Sequence, residues 1–270
     1  MTAMKGRVLI VAGSDSGGGA GIQGDLKTVI CLGAFGATAI TALTVQNTLG
    51  VTGIVEVPPE SVAAQMTAVL DDIGADCVKT GMLHDRPVVE AVADVLDARG
   101  RGIPLVMDPV MVAKGGAALL KPETVSLLVE RLLPRATVLT PNAPEAAALA
   151  GRPVETFDDL RAVAHALRAM GPRAVLAKGG HVAGDIVRDV LVDETGEHVF
   201  ESPRIETQHT HGTGCTLASA IAAGLAQGMA IPAAVARARA YVHEAIRTAP
   251  GLGRGHGPLN HGHTVRDFAG

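Results

Sequence analysis

A mostly parallel central β-sheet flanked by helices on both faces, with a small β-hairpin covering the site, is the α/β fold that this chain predicts. Three observations carry the prediction. Short apolar runs at residues 8–12, 77–79, 105–107, 138–139 and 174–177 are continuous instead of alternating, the pattern of strands buried on both faces. Segments with helical periodicity separate them, the clearest having Leu160, Val163, Ala164, Leu167 and Met170 on one face. Two further pairs of runs, 37–45 with 51–57 and 187–193 with 197–202, flank short turns and read as hairpins.

Taken from the start, Lys5 and Arg7 precede a run too short for a signal-peptide core, so 8–12 is a first strand and no export is implied. The Gly-rich stretch 13–21 then leads into a helix. The first hairpin, turning at 46–50, covers the site. The helix at 160–170 opens on a Thr156 to Asp159 capping pattern and closes at Gly171 and Pro172. From Cys215 to Ala236 the chain is uncharged and approaches the length of a membrane span, yet Gly224, Gln227, Gly228 and Pro232 interrupt it. It reads as a buried helix. Residues 251–262, rich in Gly and His, form a loop returning over the surface. No boundary divides 1–270, which reads as a single domain.

At 270 residues the chain can bury a large core without disulfides or structural metal. That core is aliphatic, because there is no Trp, one Tyr and four Phe. The same scarcity removes stacking platforms for bases, and 23 Lys and Arg against 27 Asp and Glu give a net charge of −4 with no basic block. A nucleic-acid partner is therefore not expected, nor a membrane. Cys31, Cys77 and Cys215 are odd in number and form no CxxC pair, which suits a reducing cytoplasm and suggests neither a disulfide framework nor a zinc cluster.

Chemistry-bearing residues gather where the apolar runs end. The stretch from Gly13 to Gly21 follows the first strand and precedes a helix, where backbone can approach an anion closely. Gly19, Gly21 and Gly24 spell GxGxxG, which raises a dinucleotide-dependent oxidoreductase. The triplet starts seven residues after Ala12, however, and no acidic residue lies between Asp25 and Glu56 to hold a ribose. A P-loop is excluded by the lack of any Gly-Lys dipeptide. His211-Gly212-Thr213-Gly214-Cys215-Thr216 is a glycine turn running into the Ala-rich helix, whose unpaired first amides can surround a phosphoryl group. A thiol at Cys215 would there have a lowered pKa and could accept a proton; a buried structural cysteine is the alternative. Asn142 and Glu145 stand one helical turn apart and can hold hydrated Mg²⁺ beside phosphates, or merely cap a helix. Asp108 and Lys178 end two further strands and add a carboxylate and an ammonium to the same rim.

Together these stretches resemble the hydroxymethylpyrimidine/phosphomethylpyrimidine kinases of thiamine biosynthesis, within the ribokinase-like superfamily. The resemblance runs over nearly the full chain, at 12–23 (AGSDSGGGAGIQ), 39–48 (AITALTVQNT), 78–83 (VKTGML), 108–116 (DPVMVAKGG), 140–145 (TPNAPE), 178–181 (KGGH) and 210–216 (THGTGCT). Gly24 stands where the family usually has Ala, and His209 where Asn is common. What the resemblance implies is one ribokinase-like kinase domain over 1–270. It would phosphorylate 4-amino-5-hydroxymethyl-2-methylpyrimidine from ATP at the hydroxymethyl oxygen, and then convert the monophosphate to the diphosphate. It implies ATP and Mg²⁺, leaves a K⁺ requirement open, and implies a cytoplasmic homodimer acting on small molecules. Gly212, Thr213, Gly214 and Cys215 would form the catalytic anion hole with Lys178. Gln46, with one amide donor and one acceptor, would read the aminopyrimidine. Asp25 would accept from the hydroxymethyl group, and Gly13, Met82 and Val110 would line the ring pocket. Asn142, Lys178 and Thr210 would meet ATP and its phosphates, and Glu145 and Asp108 the metal. A pyridoxal kinase of the same superfamily is the nearest alternative. A non-catalytic vitamin-binding descendant is disfavoured by the intact hole, acidic pair and lysine.

Overall fold

Strand β1 (Arg7–Asp15) organises one nine-stranded sheet of order β3-β2-β1-β4-β5-β6-β7-β8-β9 in the computed structural model, which describes residues 4–112, 116, 119–120 and 122–266. The Ala113-Lys114-Gly115 part of the 108–116 stretch lies outside the described residues. Side chains of β1 alternate between two cores, Leu9 and Val11 facing one layer of helices and Val8, Ile10 and Ala12 the other. Both faces are dry, so the run carries no polar alternation.

From β1 the chain passes through α1 (Gly21–Cys31) to β2 (Phe35–Asn47), which pairs with β1 in parallel. Beyond that pairing β2 continues as an antiparallel hairpin with β3 (Gly50–Glu56). Helix α2 (Pro59–Asp72) then carries the chain to β4 (Cys77–Thr80) on the other side of β1. This reversal of direction places a ligand crevice at the carboxyl ends of β1 and β4. Next come α3 (Arg86–Arg99), β5 (Leu105–Met107), α4 (Val125–Leu127), β6 (Val138–Leu139), α5 (Ala143–Ala150), α6 (Phe157–Ala169) and β7 (Val175–Ala177). Strands β5, β6 and β7 all join in parallel. The antiparallel pair β8 (Ile186–Asp193) and β9 (Gly196–Pro203) closes the edge, and α7 (Thr213–Ala226) and α8 (Ile231–Arg247) follow.

Helix α6 forms as its sequence dictates. Thr156 and Asp159 make a reciprocal capping box, and Leu160, Val163 and Leu167 are fully buried, worth roughly 1.5–3 kcal/mol each. Three expectations are corrected. The first hairpin turns only at 48–49, because Gln46 and Asn47 still pair with Val51 and Gly50; Gln46 is a strand residue. The uncharged stretch is two helices, broken where Gly228 takes a φ of +83°, and Gly224 lets them touch, since a Cβ there would lie 2.8 Å from that of Ala234. Residues 251–262 do more than return over the surface. Side chains at Gly253 and Gly255 would collide with Thr48 at the hairpin tip, and one at Gly257 with His209. The backbone of His256 donates to Thr48 O at 2.8 Å, and Thr216 Oγ1 lies 3.1 Å from His261 Nε2, whose ring burial keeps neutral by pushing its pKa down to about 4. Among the described residues no helix is long and apolar enough to cross a membrane.

Candidate active site

The carboxyl ends of β1, β4, β5, β6 and β7 open on one cavity of about 500 Å³. At one end of it stands the start of α7. Gly212 adopts a left-handed conformation (φ +84°) that a side chain would strain, and a Cβ there would also collide with Gly19 O. Thr210 O accepts from Thr213 Oγ1 at 2.7 Å and from Thr213 N at 3.3 Å, so the Thr213 amide is turned back on its own chain and the first-turn amides of Gly214 and Cys215 are the ones that face a ligand. A Cβ on Gly214 would lie 3.1 Å from Lys178 Nζ and 3.8 Å from Asp108 Oδ2, so helix end and charged groups share one small space.

Lys178 Nζ lies 3.0 Å from Asp108 Oδ1 and 3.9 Å from Glu145 Oε2. Burial works against the lysine's charge, but Asp108 and then Glu145 outweigh it and hold its pKa above the usual value. Glu145 also closes a capping box with Asn142, at 2.8 and 2.9 Å, so the capping and site readings coincide. Burial pushes the Glu145 carboxyl up to about 7, Lys178 opposing and Asp108 adding to the shift. One ammonium thus faces two buried carboxylates beside the first amides of α7. That donor set fits a hard divalent cation that keeps waters and takes its other ligands from substrate phosphates.

The other end of the cavity is apolar. Met82, Val110 and Leu119 pack with Ala42 under the hairpin, and Gly13 lets Met82 approach, a Cβ there coming to 3.0 Å from its sulfur. Gln46 lines the cavity beside His211, the two side chains 3.3 Å apart. The Gly-rich loop is folded onto Asp15, whose carboxylate accepts from the amides of Gly17, Gly19 and Ala20 at 2.8, 3.1 and 2.8 Å. Gly19 is packed against His211, so these glycines leave no open pyrophosphate turn, and the dinucleotide reading loses its site.

Two site expectations fail on the structure. Asp25 does not reach the cavity: it is completely buried on α1, bonded by both oxygens to Lys79 Nζ (2.9 and 2.8 Å) and by Oδ1 to Ser219 Oγ (2.6 Å). It lies neither against substrate nor in solvent. Cys215 does line the cavity, but burial pushes its thiol up to about 12, Lys79 opposing and Asp25 and Asp108 adding to the rise. The free protein therefore holds a thiol where a thiolate was expected. Sequence analysis singled out neither Lys79 nor Asp15 nor the side chain of His211. A lone lysine inside the apolar run 77–80 was the available signal for the first, since a charge in a strand covered on both faces needs a partner.

An N-terminal helix end facing a lysine and two carboxylates, at the carboxyl rim of a doubly wound sheet, defines a phosphotransferase for small molecules. The family model of phosphomethylpyrimidine kinase matches residues 15–260, and the chain belongs to that family. A hydroxymethylpyrimidine/phosphomethylpyrimidine kinase of Streptomyces coelicolor is 53% identical over 255 residues, covering 94% of each chain. The thiamine biosynthesis bifunctional protein ThiED of Geobacter sulfurreducens is 55% identical over 258 residues; the match covers 95% of this chain, which spans only 52% of that longer protein. Among solved structures, an ADP complex of Bacillus subtilis pyridoxal kinase aligns with a TM-score of 0.89 at 36% identity, covering 96% of this chain and 98% of the other. The architecture is ribokinase-like, as expected.

Proposed function

We propose that this chain phosphorylates 4-amino-5-hydroxymethyl-2-methylpyrimidine from ATP, first at the hydroxymethyl oxygen and then at the resulting monophosphate, in thiamine biosynthesis. The observation that carries the reading is a single cavity with an amide-bearing apolar pocket at one end and, at the other, a helix end beside one lysine and two carboxylates. The ring lies between Met82 and Val110, with Gln46 at its polar edge. Its hydroxymethyl group meets the phosphoryl group at the amides of Gly214 and Cys215. Gly212 and Thr213 shape that turn, Lys178 neutralises charge on the moving phosphoryl group, and Asn142 and Thr210 flank the ATP phosphates. Glu145 and Asp108 would hold Mg²⁺, which supplies neutralisation of the phosphate oxygens when bound. Because Cys215 rests as a thiol, the new O–P bond forms as the bond to ADP breaks, and the hydroxyl proton leaves late, onto a phosphate oxygen of the product, as a loose transition state permits. The fold acts as one catalytic unit over 1–270, in the cytoplasm and as a homodimer.

Pyridoxal is the second reading, favoured by the likeness to the Bacillus subtilis pyridoxal kinase. The relatives at 53% and 55% identity favour the pyrimidine. The experiment is to supply purified protein with magnesium and ATP and each alcohol separately, and to weigh the products. Monophosphate followed by diphosphate is expected from the pyrimidine; a phosphate ester formed from pyridoxal alone would reverse the assignment.

A further inference from the structure

Gln46 has two neighbours that together decide which way its amide points. Thr44 Oγ1 lies 2.9 Å from Ser14 O and 3.1 Å from Gln46 Oε1. As placed, both partners are carbonyl oxygens that can only accept, and the hydroxyl has one hydrogen; the backbone carbonyl of Ser14, which is nearer and cannot turn round, takes it, and Thr44 Oγ1 is left as an acceptor towards Gln46. On the other side, His211 Nε2 lies 2.8 Å from Asp15 Oδ2 and 3.3 Å from Gln46 Nε2. Burial works against charge on Asp15, but His211 and the loop amides hold its carboxyl below the usual range, so it is an ionised acceptor. His211 Nε2 must then carry a hydrogen. With the Gln46 nitrogen towards His211, two N–H groups would confront each other. A half-turn of the amide, in which N and O exchange places at almost no steric cost, suits both contacts: the Gln46 oxygen takes the longer branch of a three-centre bond from the His211 Nε2 hydrogen, whose shorter branch goes to Asp15, and the nitrogen donates to Thr44.

The geometry points to the Asp15–His211 pair as the positioning group that fixes the polarity of Gln46, and through it the direction in which an amino-substituted nitrogen heterocycle lies in the cavity. This rests on the aminopyrimidine kinase reading above. In the fixed polarity Gln46 offers its remaining N–H on the Thr44 side and its oxygen on the His211 side. A ring nitrogen takes the N–H, and the neighbouring exocyclic amino group donates to the oxygen. The amino group thus lies towards His211, next in the chain to Gly212. The hydroxymethyl group ortho to it is thereby delivered to the end of α7. Reverse polarity would turn the ring over and carry that group away from Gly214. Pyridoxal, whose ring nitrogen has no adjacent amino group, engages only half of this pair.

Steady-state kinetics of the wild type and of His211→Leu, with the aminopyrimidine alcohol and with its analogue lacking the amino group, test the inference. The wild type is expected to prefer the amino compound in kcat/KM by roughly ten- to a hundred-fold. In His211→Leu the preference should shrink to about threefold or less through a higher KM for the amino compound, with KM for the other unchanged. His211→Gln, which keeps an N–H for Asp15 and Gln46, should retain most of it. An equal fall of kcat on both compounds with the preference intact would mean that His211 only supports the helix turn, and would overturn the inference. A wild type without preference would instead refute the aminopyrimidine reading itself. Should His211→Leu fail to fold, a crystal structure of the wild type with the aminopyrimidine decides: the amino nitrogen bonded to the Gln46 atom nearest His211 supports the polarity, and the ring nitrogen there refutes it.

Discussion

Among the described residues, two lysines reach the rim of the sheet, and they are neutralised differently. Lys79, on β4, has no exposed surface and meets both oxygens of Asp25, which takes a third bond from Ser219. One ammonium answers one carboxylate, and the group is closed. Lys178, at the end of β7, serves two carboxylates at once, Asp108 at 3.0 Å and Glu145 at 3.9 Å. With both carboxylates ionised that group would carry surplus negative charge beside an anion hole; burial, with Asp108 adding to it, instead pushes the Glu145 carboxyl up to about 7, so that it holds a proton an incoming cation can displace. A balanced buried pair is scaffold, whereas an unbalanced one is prepared for an incoming cation.

The sharpest way to break this contrast is Lys79→Met, which leaves Asp25 as an unpaired charge in the core. A loss of about 3–5 kcal/mol in urea unfolding is expected, and Asp25→Asn in the same chain should restore most of it. No recovery in the double variant would mean that lysine packing, not the charge pair, matters. At the open group the effect moves from stability to rate. Glu145→Ala should lower kcat by about 10²-fold or more, against a stability cost of only about 1 kcal/mol from the lost cap. An unchanged turnover number would remove Glu145 from the chemistry.

Next comes pH, whose sign follows from the raised carboxyl. Folded, Glu145 keeps its proton up to about 7, against 4.5 as the ordinary value. Its contribution to the stability of the free protein is therefore full below the lower value and is lost as pH rises through the higher one. Magnesium-ATP has to displace that proton, so its binding should tighten as pH rises from about 6 to 8, with proton release seen by calorimetry in two buffers of different ionisation heat. Glu145→Gln should flatten the profile, and an equally steep one would place the proton elsewhere. The smallest expected effect lies at the apolar end: Gln46→Ala should weaken pyrimidine binding by about 1–3 kcal/mol while leaving the unfolding curve in place. Equal affinity by calorimetric titration would end its role in recognition.

Much of the sheet was legible because its strands are local apolar runs; 105–107 and 138–139 coincide with β5 and β6. The Thr156 cap was legible for the same reason, its partner being three residues away. What escaped is set by distance in the chain. The resemblance gives Asp25 to the substrate, and nothing near it in the chain says that Lys79, 54 residues on, will claim it instead. Asp15 and His211 are 196 residues apart, and only folding makes them a pair. The irregular helical turns between Pro122 and Arg135, which mix three hydrogen-bond spacings, carry no single period for a sequence reading to find. Cys215 was expected as a thiolate from its helix end, a local feature, whereas burial, which is not local, decides its protonation.

Strand β2 behaves mechanically as a beam held at both ends. Its 13 residues run without a loop from Phe35, set in parallel against β1, to Asn47 at the hairpin tip, a span of roughly 40 Å. The far end is clasped by Gly253, Gly255 and the His256 amide at Thr48. Gln46 hangs two residues from that clasp, so a ligand pressing on it loads the sheet itself. Admitting a bulkier ring is therefore a matter of unfastening Thr48 from a glycine-rich band, a cheaper motion than bending a strand whose root is hydrogen-bonded along β1.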